Sequence, residues 1–161
     1  MIAAAPIVAI ASQLAGVSTK VECDKDSSFS QRENGYVTFD WTGTAYQSER
    51  TIHLPASTCR RLNRLYSVRD TRPWSSIVSP GGKIVDLQDG AAVHVLAHEA
   101  MHIRLDSLNE SRVETCAYQN QWQAVRLFHL AAWKTRQILR GMRVAHFDSA
   151  DGYLDASQGG C

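Results

Sequence analysis

The sequence lacks several features that would assign it to a class at once. No hydrophobic run is long enough to cross a bilayer, because the apolar stretch at residues 1–15 is short and contains Pro6. Neither sign of charge dominates, since 17 lysines and arginines accompany 16 aspartates and glutamates, for a formal net charge of +1. Arginines cluster at 59–72 and 134–143, but such clusters are usually solvated helix faces. We therefore expect no nucleic-acid partner and no stable membrane span.

The four cysteines include no C-x-x-C pair, which argues against a zinc ribbon and against a thioredoxin-type redox site. They are Cys23, Cys59, Cys116 and Cys161. An even number at long spacings favours two disulfides, with four free thiols in a cytosolic protein as the alternative. The simplest pairing joins Cys23 to Cys59 and Cys116 to Cys161. Disulfides predict an extracytoplasmic or secreted protein.

The length and composition indicate one globular domain spanning residues 1–161. The chain has 161 residues, of which 44% are hydrophobic, enough for a single buried core. Residues 1–18 are apolar, which predicts either a first helix of the domain or the remnant of a secretion or anchor segment. Residues 144–161 form a polar, glycine-rich tail that we expect to be loose unless Cys161 holds it. We expect a monomer.

The first half of the chain has the pattern of a small sheet with one helix. Alternating and β-branched residues predict three strands, at Lys20–Cys23, Tyr36–Gly43 and Arg50–Pro55. A helix follows Ser57 or Thr58, either of which can cap it. Prolines and glycines then predict a loop at Arg69–Lys83, of a length at which loops are often functional.

The second half, Asp86–Arg143, has helical periodicity. Asp89 is the predicted N-cap of a first helix, which breaks at Leu105–Asn109. A second, long helix is predicted from Glu110 to Arg140, ending at Gly141. The chain is therefore predicted to be α+β, with a small twisted sheet followed by two long antiparallel helices.

Within the first of these helices "HEAMH", His98–His102, matches H-E-x-x-H. Side chains four residues apart lie on one face of a helix, so both imidazoles can bind one Zn²⁺. Glu99 is placed to take a proton from a water molecule that the metal activates, which is the chemistry of amide hydrolysis. Because the motif falls in an independently predicted helix, we expect one zinc per chain, with Glu99 as the general base.

A catalytic zinc needs a third protein ligand. No further histidine follows His102 at the spacing of H-E-x-x-H-x-x-G-x-x-H. The candidates are Glu110 and Glu114 in "NESRVE". His94 lies one turn before His98 on the same face, too far along the axis to share the ion, so we expect it near the metal but not bound to it.

H-E-x-x-H followed by a glutamate on the next helix resembles the gluzincins, the thermolysin-like zinc metallopeptidases. "NESRVE" is similar to their N-E-x-x-x-D element, which implies Glu110 as the ligand. "ETCA" (Glu114–Ala117) is similar to the E-x-x-A of small single-domain relatives, the minigluzincins, which implies Glu114. If the chain reverses near Asp106–Ser107, helix geometry favours Glu114, with Glu110 as its outer partner or as the alternative ligand.

The segment from Cys23 to Gln121 also resembles small secreted actinobacterial metallopeptidase-like proteins. The resemblance implies a zincin-like fold without the second helical lobe of larger gluzincins. It also implies that a peptide substrate binds along an edge strand, for which Thr51, Ile52 and His53 are the candidates. Tyr118, with His129 or His94, is a candidate to stabilise the oxyanion, although a packing or surface role is the alternative for each.

The sequence thus predicts a zinc metallopeptidase with metal ligands His98, His102 and Glu114. One alternative is a zinc-containing binding or regulatory domain with little or no turnover. Another is a helical structural domain whose histidines bind no metal.

Overall fold

The computed structural model describes residues 3–25, 36–38, 50–67, 82–149 and 161, and shows an α+β chain that is mainly helical. The described helices are α1 (Ala5–Ala15), α2 (Ala56–Ser67), α3 (Gly82–Leu105), α4 (Glu110–Gln119), α5 (Gln121–Arg126) and α6 (Ala132–Ser149). The described strands are β1 (Lys20–Asp24), β2 (Tyr36–Thr38) and β3 (Thr51–Pro55). Most of the predicted loop at 69–83 lies outside the described residues, and its last two residues already belong to α3.

The three strands form one sheet in the order β1-β3-β2. Strand β1 pairs with β3 in parallel, with Val21 opposite Ile52, and β2 pairs with β3 antiparallel. The predicted strands at 20–23 and 50–55 are confirmed, while of the strand predicted at 36–43 only residues 36–38 are described, and they form β2.

The central position of β3 corrects one prediction. Thr51, Ile52 and His53 all have a partner in β1 and a partner in β2. Because both sides of β3 are occupied by protein strands, these residues cannot offer an edge to a substrate. The strand pattern was correct, but lateral order in a sheet depends on contacts between distant segments, which periodicity does not encode.

Helix α1 is part of the core. Pro6 stands in its first turn and Gly16 ends it with a φ of 73°, which suits a residue without a Cβ. Its buried residues are Ile7, Ile10, Ala11, Leu14 and Ala15. Each large aliphatic side chain buried in this way contributes roughly 1.5–3 kcal/mol. The apolar N-terminal segment therefore forms a helix of the domain. Among the described helices, none is both long and apolar enough to cross a bilayer.

Helix α3 lies at the centre and packs against α1, α2, α4 and α6. It begins well before the predicted cap Asp89, which is instead a buried residue within the helix. The Asp89 carboxylate lies 2.6 Å from Arg64 of α2 and 3.8 Å from Lys134 of α6. A buried carboxylate needs such cations, so the residue that suggested a helix start in fact joins three helices.

The long helix predicted over 110–140 is divided into α4, α5 and α6. Asn120 ends α4, because its backbone and side-chain N–H groups both bond to the carbonyl of Cys116. His129 has a φ of 52° in the turn before α6. Gly141 does not end a helix, since α6 continues to Ser149 and so includes the start of the predicted tail.

Gly141 marks a close approach between α6 and α3. A Cβ built on Gly90 of α3 would lie 2.5 Å from the Cα of Gly141. Helix α3 therefore needs a glycine at position 90, and Gly141, the glycine that resembled a helix stop, lies where the two helices cross.

The two predicted disulfides are confirmed. Cys23–Cys59 joins β1 to α2, and Cys116–Cys161 joins α4 to the last residue of the chain. The second bond belongs to a small apolar cluster that holds α4 against α3, formed by Met101, Val113, Cys116 and Ala117 with Leu105 packed on it. Disulfides are compatible with the predicted extracytoplasmic location.

Candidate metal centre

The turn between α3 and α4 brings two helix faces together. Asp106 adopts a φ of 47°, and the N–H of Ser107 bonds to the carbonyl of His102. Asn109 then caps α4 by accepting a hydrogen bond from the N–H of Arg112. Asparagine is a favoured N-cap residue, and the next residue, Glu110, is the first of α4. Helix α4 therefore runs back along α3, with its acidic residues facing the histidines.

Three donor groups converge at this junction. The Nε2 atoms of His98 and His102 are 3.2 Å apart. The Glu110 carboxylate lies 3.1 Å from Nε2 of His98 and 3.4 Å from Nε2 of His102. Ligand atoms bound tetrahedrally to zinc at about 2.0–2.1 Å are about 3.3 Å from one another. The contacts among His98, His102 and Glu110, which we call the metal triad, thus have lengths close to those between ligand atoms of one zinc ion, with a different oxygen of Glu110 nearest to each imidazole.

The opposite nitrogens of both rings are already hydrogen-bonded. Nδ1 of His102 is 2.8 Å from the carbonyl oxygen of Ser107, which can only accept, so this nitrogen donates. Nδ1 of His98 is 2.6 Å from the Glu114 carboxylate and donates likewise. In a neutral ring the remaining Nε2 then carries a lone pair. Two lone pairs and a carboxylate pointing at one space repel each other unless a proton or a cation lies among them.

The electrostatics of the metal-free protein agree with this arrangement. Burial opposes charge on His98, but hydrogen bonds to Glu110 and Glu114 outweigh it and raise the pKa of His98 to about 10. Burial lowers the pKa of His102, which favours its neutral form. The hydrogen bond from His98 lowers the pKa of Glu110, although burial opposes this. Without a metal, these shifts favour a protonated His98 whose Nε2 donates a hydrogen bond to Glu110.

Glu99 is buried beside the triad, with 6% of its surface exposed. Burial, partly offset by His98 and reinforced by Glu110, raises the pKa of Glu99 to about 7. A carboxylate with a pKa near neutrality is suited to accept and return a proton. The general-base role expected of Glu99 stays a prediction.

The two acidic candidates occupy different positions. Glu110 is half exposed and contacts the Nε2 atoms of both triad histidines. Glu114 is buried, with 2% exposure, and contacts His98 from the Nδ1 side. The geometry therefore favours Glu110 as the third ligand, the alternative that the sequence left open. Position along a helix could not settle this, because it depends on how tightly the turn after Leu105 closes.

His94 lies beyond Glu114, as its position one turn before His98 suggested. Its Nε2 is 3.0 Å from Oε1 of Glu114, whose other oxygen receives the bond from His98. These three residues also come close enough together to hold a metal ion. The distance of 2.6 Å between Nδ1 of His98 and Oε2 of Glu114 is, however, shorter than the separation of two ligand atoms on one ion. It is an ordinary length for a charge-assisted hydrogen bond.

The two other oxyanion candidates lie farther away along the chain. Tyr118 is exposed and stands roughly two helical turns, about 12 Å, beyond Glu110. His129 lies in the turn between α5 and α6. The roles suggested for Tyr118 and His129 stay predictions.

A second group of donors, which the sequence analysis did not identify, lies on the sheet. Pairing of β1 with β3 places His53 beside Asp24, with Nδ1 3.1 Å from the carboxylate, and 4.0 Å from Glu22. These residues could also hold a cation. None of the three residues is fully buried, and their donor atoms converge less closely than those of the metal triad.

Comparison with known proteins finds no matching family model, no matching curated protein and no matching solved structure. The chemistry of the metal triad therefore carries the functional argument by itself.

Proposed function

We propose that this chain is a zinc-dependent metallopeptidase of the zincin type, with His98, His102 and Glu110 as metal ligands. The observation that carries the proposal is the convergence of two Nε2 atoms and one carboxylate while both Nδ1 atoms are hydrogen-bonded. Hydrogen bonds at Nδ1 select the tautomer whose Nε2 binds a metal.

The donor set supports zinc in particular. Two imidazoles and one carboxylate are a common ligand set of catalytic zinc, which keeps a further position open. The half-exposed side chain of Glu110 places that open side toward solvent, where a substrate can enter. A zinc ion there would supply a Lewis acid that polarises a carbonyl and lowers the pKa of water.

The protein's own residues account for the proton transfers of peptide hydrolysis. Glu99 accepts the proton of the attacking water as its carboxylate, and returns it to the departing amine as the acid. A pKa of about 7 makes both forms accessible near neutrality. Glu114 holds the ring of His98 by its Nδ1 hydrogen bond, and the Ser107 carbonyl does the same for His102.

The sheet suggests where an extended peptide would bind. Strands β1 and β2 are the two edges among the described strands, and β2 is the edge that packs against α3. A substrate that paired with β2 would run beside the helix that carries His98 and His102. We therefore assign the substrate edge to β2 in place of β3.

The test combines metal content with peptidase activity. Wild-type protein purified without added metal is analysed for bound metals, and is then assayed on a mixed peptide library beside Glu99→Gln. About one zinc per chain, with cleavage by wild type and not by Glu99→Gln, supports the proposal. Zinc without cleavage of any peptide favours the binding or regulatory domain. Absence of zinc after reconstitution contradicts both.

A further inference from the structure

We propose that His94 is a positioning residue of the metal centre, which acts through Glu114 to hold His98 in its metal-binding orientation. This inference rests on the proposed function. His94 lies outside the metal triad, and its Nε2 faces Glu114.

The contacts form a chain of three side chains. Nε2 of His94 is 3.0 Å from Oε1 of Glu114, and Oε2 of Glu114 is 2.6 Å from Nδ1 of His98. His94 and Glu114 are buried, with 4% and 2% exposure. Both oxygens of one carboxylate are therefore engaged by two rings that stand one helical turn apart on α3.

This arrangement fixes the plane of the carboxylate. A single hydrogen bond lets a carboxylate rotate about its terminal bond, whereas two bonds from donors on one rigid helix do not. Since Glu114 is held from both sides, Oε2 stays where it receives the Nδ1 proton of His98. Nε2 of His98 then points into the triad, where it lies 3.2 Å from Nε2 of His102.

Loss of the His94 donor would have two effects. A buried oxygen of Glu114 would lose its hydrogen bond, which is costly away from water. The carboxylate could then turn to find another donor, and the hydrogen bond to His98 would weaken. Loss of such outer partners weakens metal binding by roughly 10–100-fold, and His94 acts one step farther out, so we expect about tenfold.

A role in packing alone makes a different prediction. If His94 only fills space on α3, leucine would replace it better than a polar residue. If it positions Glu114, glutamine would replace it better, because its amide N–H₂ reaches about as far as Nε2 of histidine. His94→Leu and His94→Gln therefore separate the two roles.

The experiment measures zinc affinity by competition with a chromophoric chelator, for wild type, His94→Leu and His94→Gln. The control is Thr135→Val, which removes a side-chain hydrogen bond of a buried residue in α6, 3.4 Å from the carbonyl of Leu130. We expect about tenfold weaker binding in His94→Leu, near wild-type binding in His94→Gln and no change in Thr135→Val. The visible spectrum of the cobalt-substituted proteins reports the ligand geometry and should change only in His94→Leu.

Equal zinc affinity of His94→Leu and wild type overturns the inference and leaves the proposed function standing. Equal loss in His94→Leu and His94→Gln overturns it too, because the donor would then not matter. If His94→Leu does not fold by circular dichroism, His94→Asn replaces it, since its shorter amide cannot reach Glu114. Wild type that binds no zinc defeats the proposed function and this inference together.

Discussion

The carboxylate of Glu114 lies 2.6 Å from Nδ1 of His98, on the side of the ring that faces away from the metal triad. The other nitrogen of the same ring faces Glu110 at 3.1 Å. One imidazole thus separates two acidic residues that are four positions apart on α4. Because the two carboxylates face different nitrogens of this ring, we expect them to have different roles.

Glu110→Gln should weaken zinc binding more than Glu114→Gln. Glutamine removes the charge that Glu110 offers to the metal, whereas at position 114 it still presents an oxygen to Nδ1 of His98. We expect a loss of roughly 10–100-fold in Glu114→Gln and a larger one in Glu110→Gln, measured by chelator competition. The reverse order would assign the third ligand to Glu114.

Glu99→Gln should keep its zinc and lose its peptidase activity. Glutamine has nearly the same shape as glutamate but cannot take up a proton, so kcat should fall by roughly 10²–10⁴-fold. Metal content by elemental analysis and turnover of a peptide that wild type cleaves are the two measurements. Activity that survives this change would show that another group serves as the base.

The stability of the metal-free protein should fall as the pH rises above about 6.5, because the lowered pKa of His102 acts in the opposite direction only below that value. The pKa of His98 is about 10 in the folded chain against an ordinary value of 6.5, so its protonated form stabilises the fold. That contribution is fully present below about pH 6.5 and is lost as the pH rises through 10. Glu99 acts in the same direction between its ordinary value of 4.5 and about 7.

Urea unfolding in the presence of a chelator, from pH 5 to pH 10, measures this effect. In His98→Gln, which lacks the titrating imidazole, the free energy of unfolding should fall less steeply with pH above pH 7. Zinc should oppose the trend, because it displaces the proton from His98 and binds more tightly at higher pH. If the free energy of unfolding of the metal-free protein did not change with pH, a proton held by His98 at the triad would be contradicted.

Gly90→Ala should destabilise the protein, although alanine favours helices. In an open helix this change would stabilise by about 0.5–1 kcal/mol. Here the new Cβ would meet Gly141 at 2.5 Å, and such overpacking costs roughly 1–3 kcal/mol or more. Urea unfolding gives the sign directly. Gly16→Ala is the control, because nothing lies within 4 Å of its Cβ and only the φ of 73° opposes the change.

Loss of the Cys116–Cys161 bond should weaken zinc binding more than loss of Cys23–Cys59. The two bonds span similar separations of 45 and 36 residues, so each stabilises the fold by a similar amount, about 4 kcal/mol. Only the first is attached to α4, the helix that carries Glu110. Zinc affinities of Cys161→Ser and Cys59→Ser test this, and equal losses would mean that the disulfide does not help to position α4.

The sequence by itself determined the spacing of the candidate ligands along one helix and much of the local structure. Spacing along one helix places His98 and His102 on one face whatever surrounds them, because the helical repeat is a local property. The strand at Thr51–Pro55 agreed with its local residue pattern, because alternation along a strand depends on neighbouring residues. The disulfide pairing also agreed, because four cysteines allow only three pairings.

Tertiary structure decided what depends on contacts between distant segments. The tight turn at Asp106 and the cap at Asn109 set the register of α4, and so placed Glu110 rather than Glu114 at the Nε2 atoms. The partners of Asp89 lie in α2 and α6, so the residues around it in the sequence could not predict that it is buried within α3. Strand order likewise made β3 central. In each case a residue's role was fixed by which side chain it met across the core.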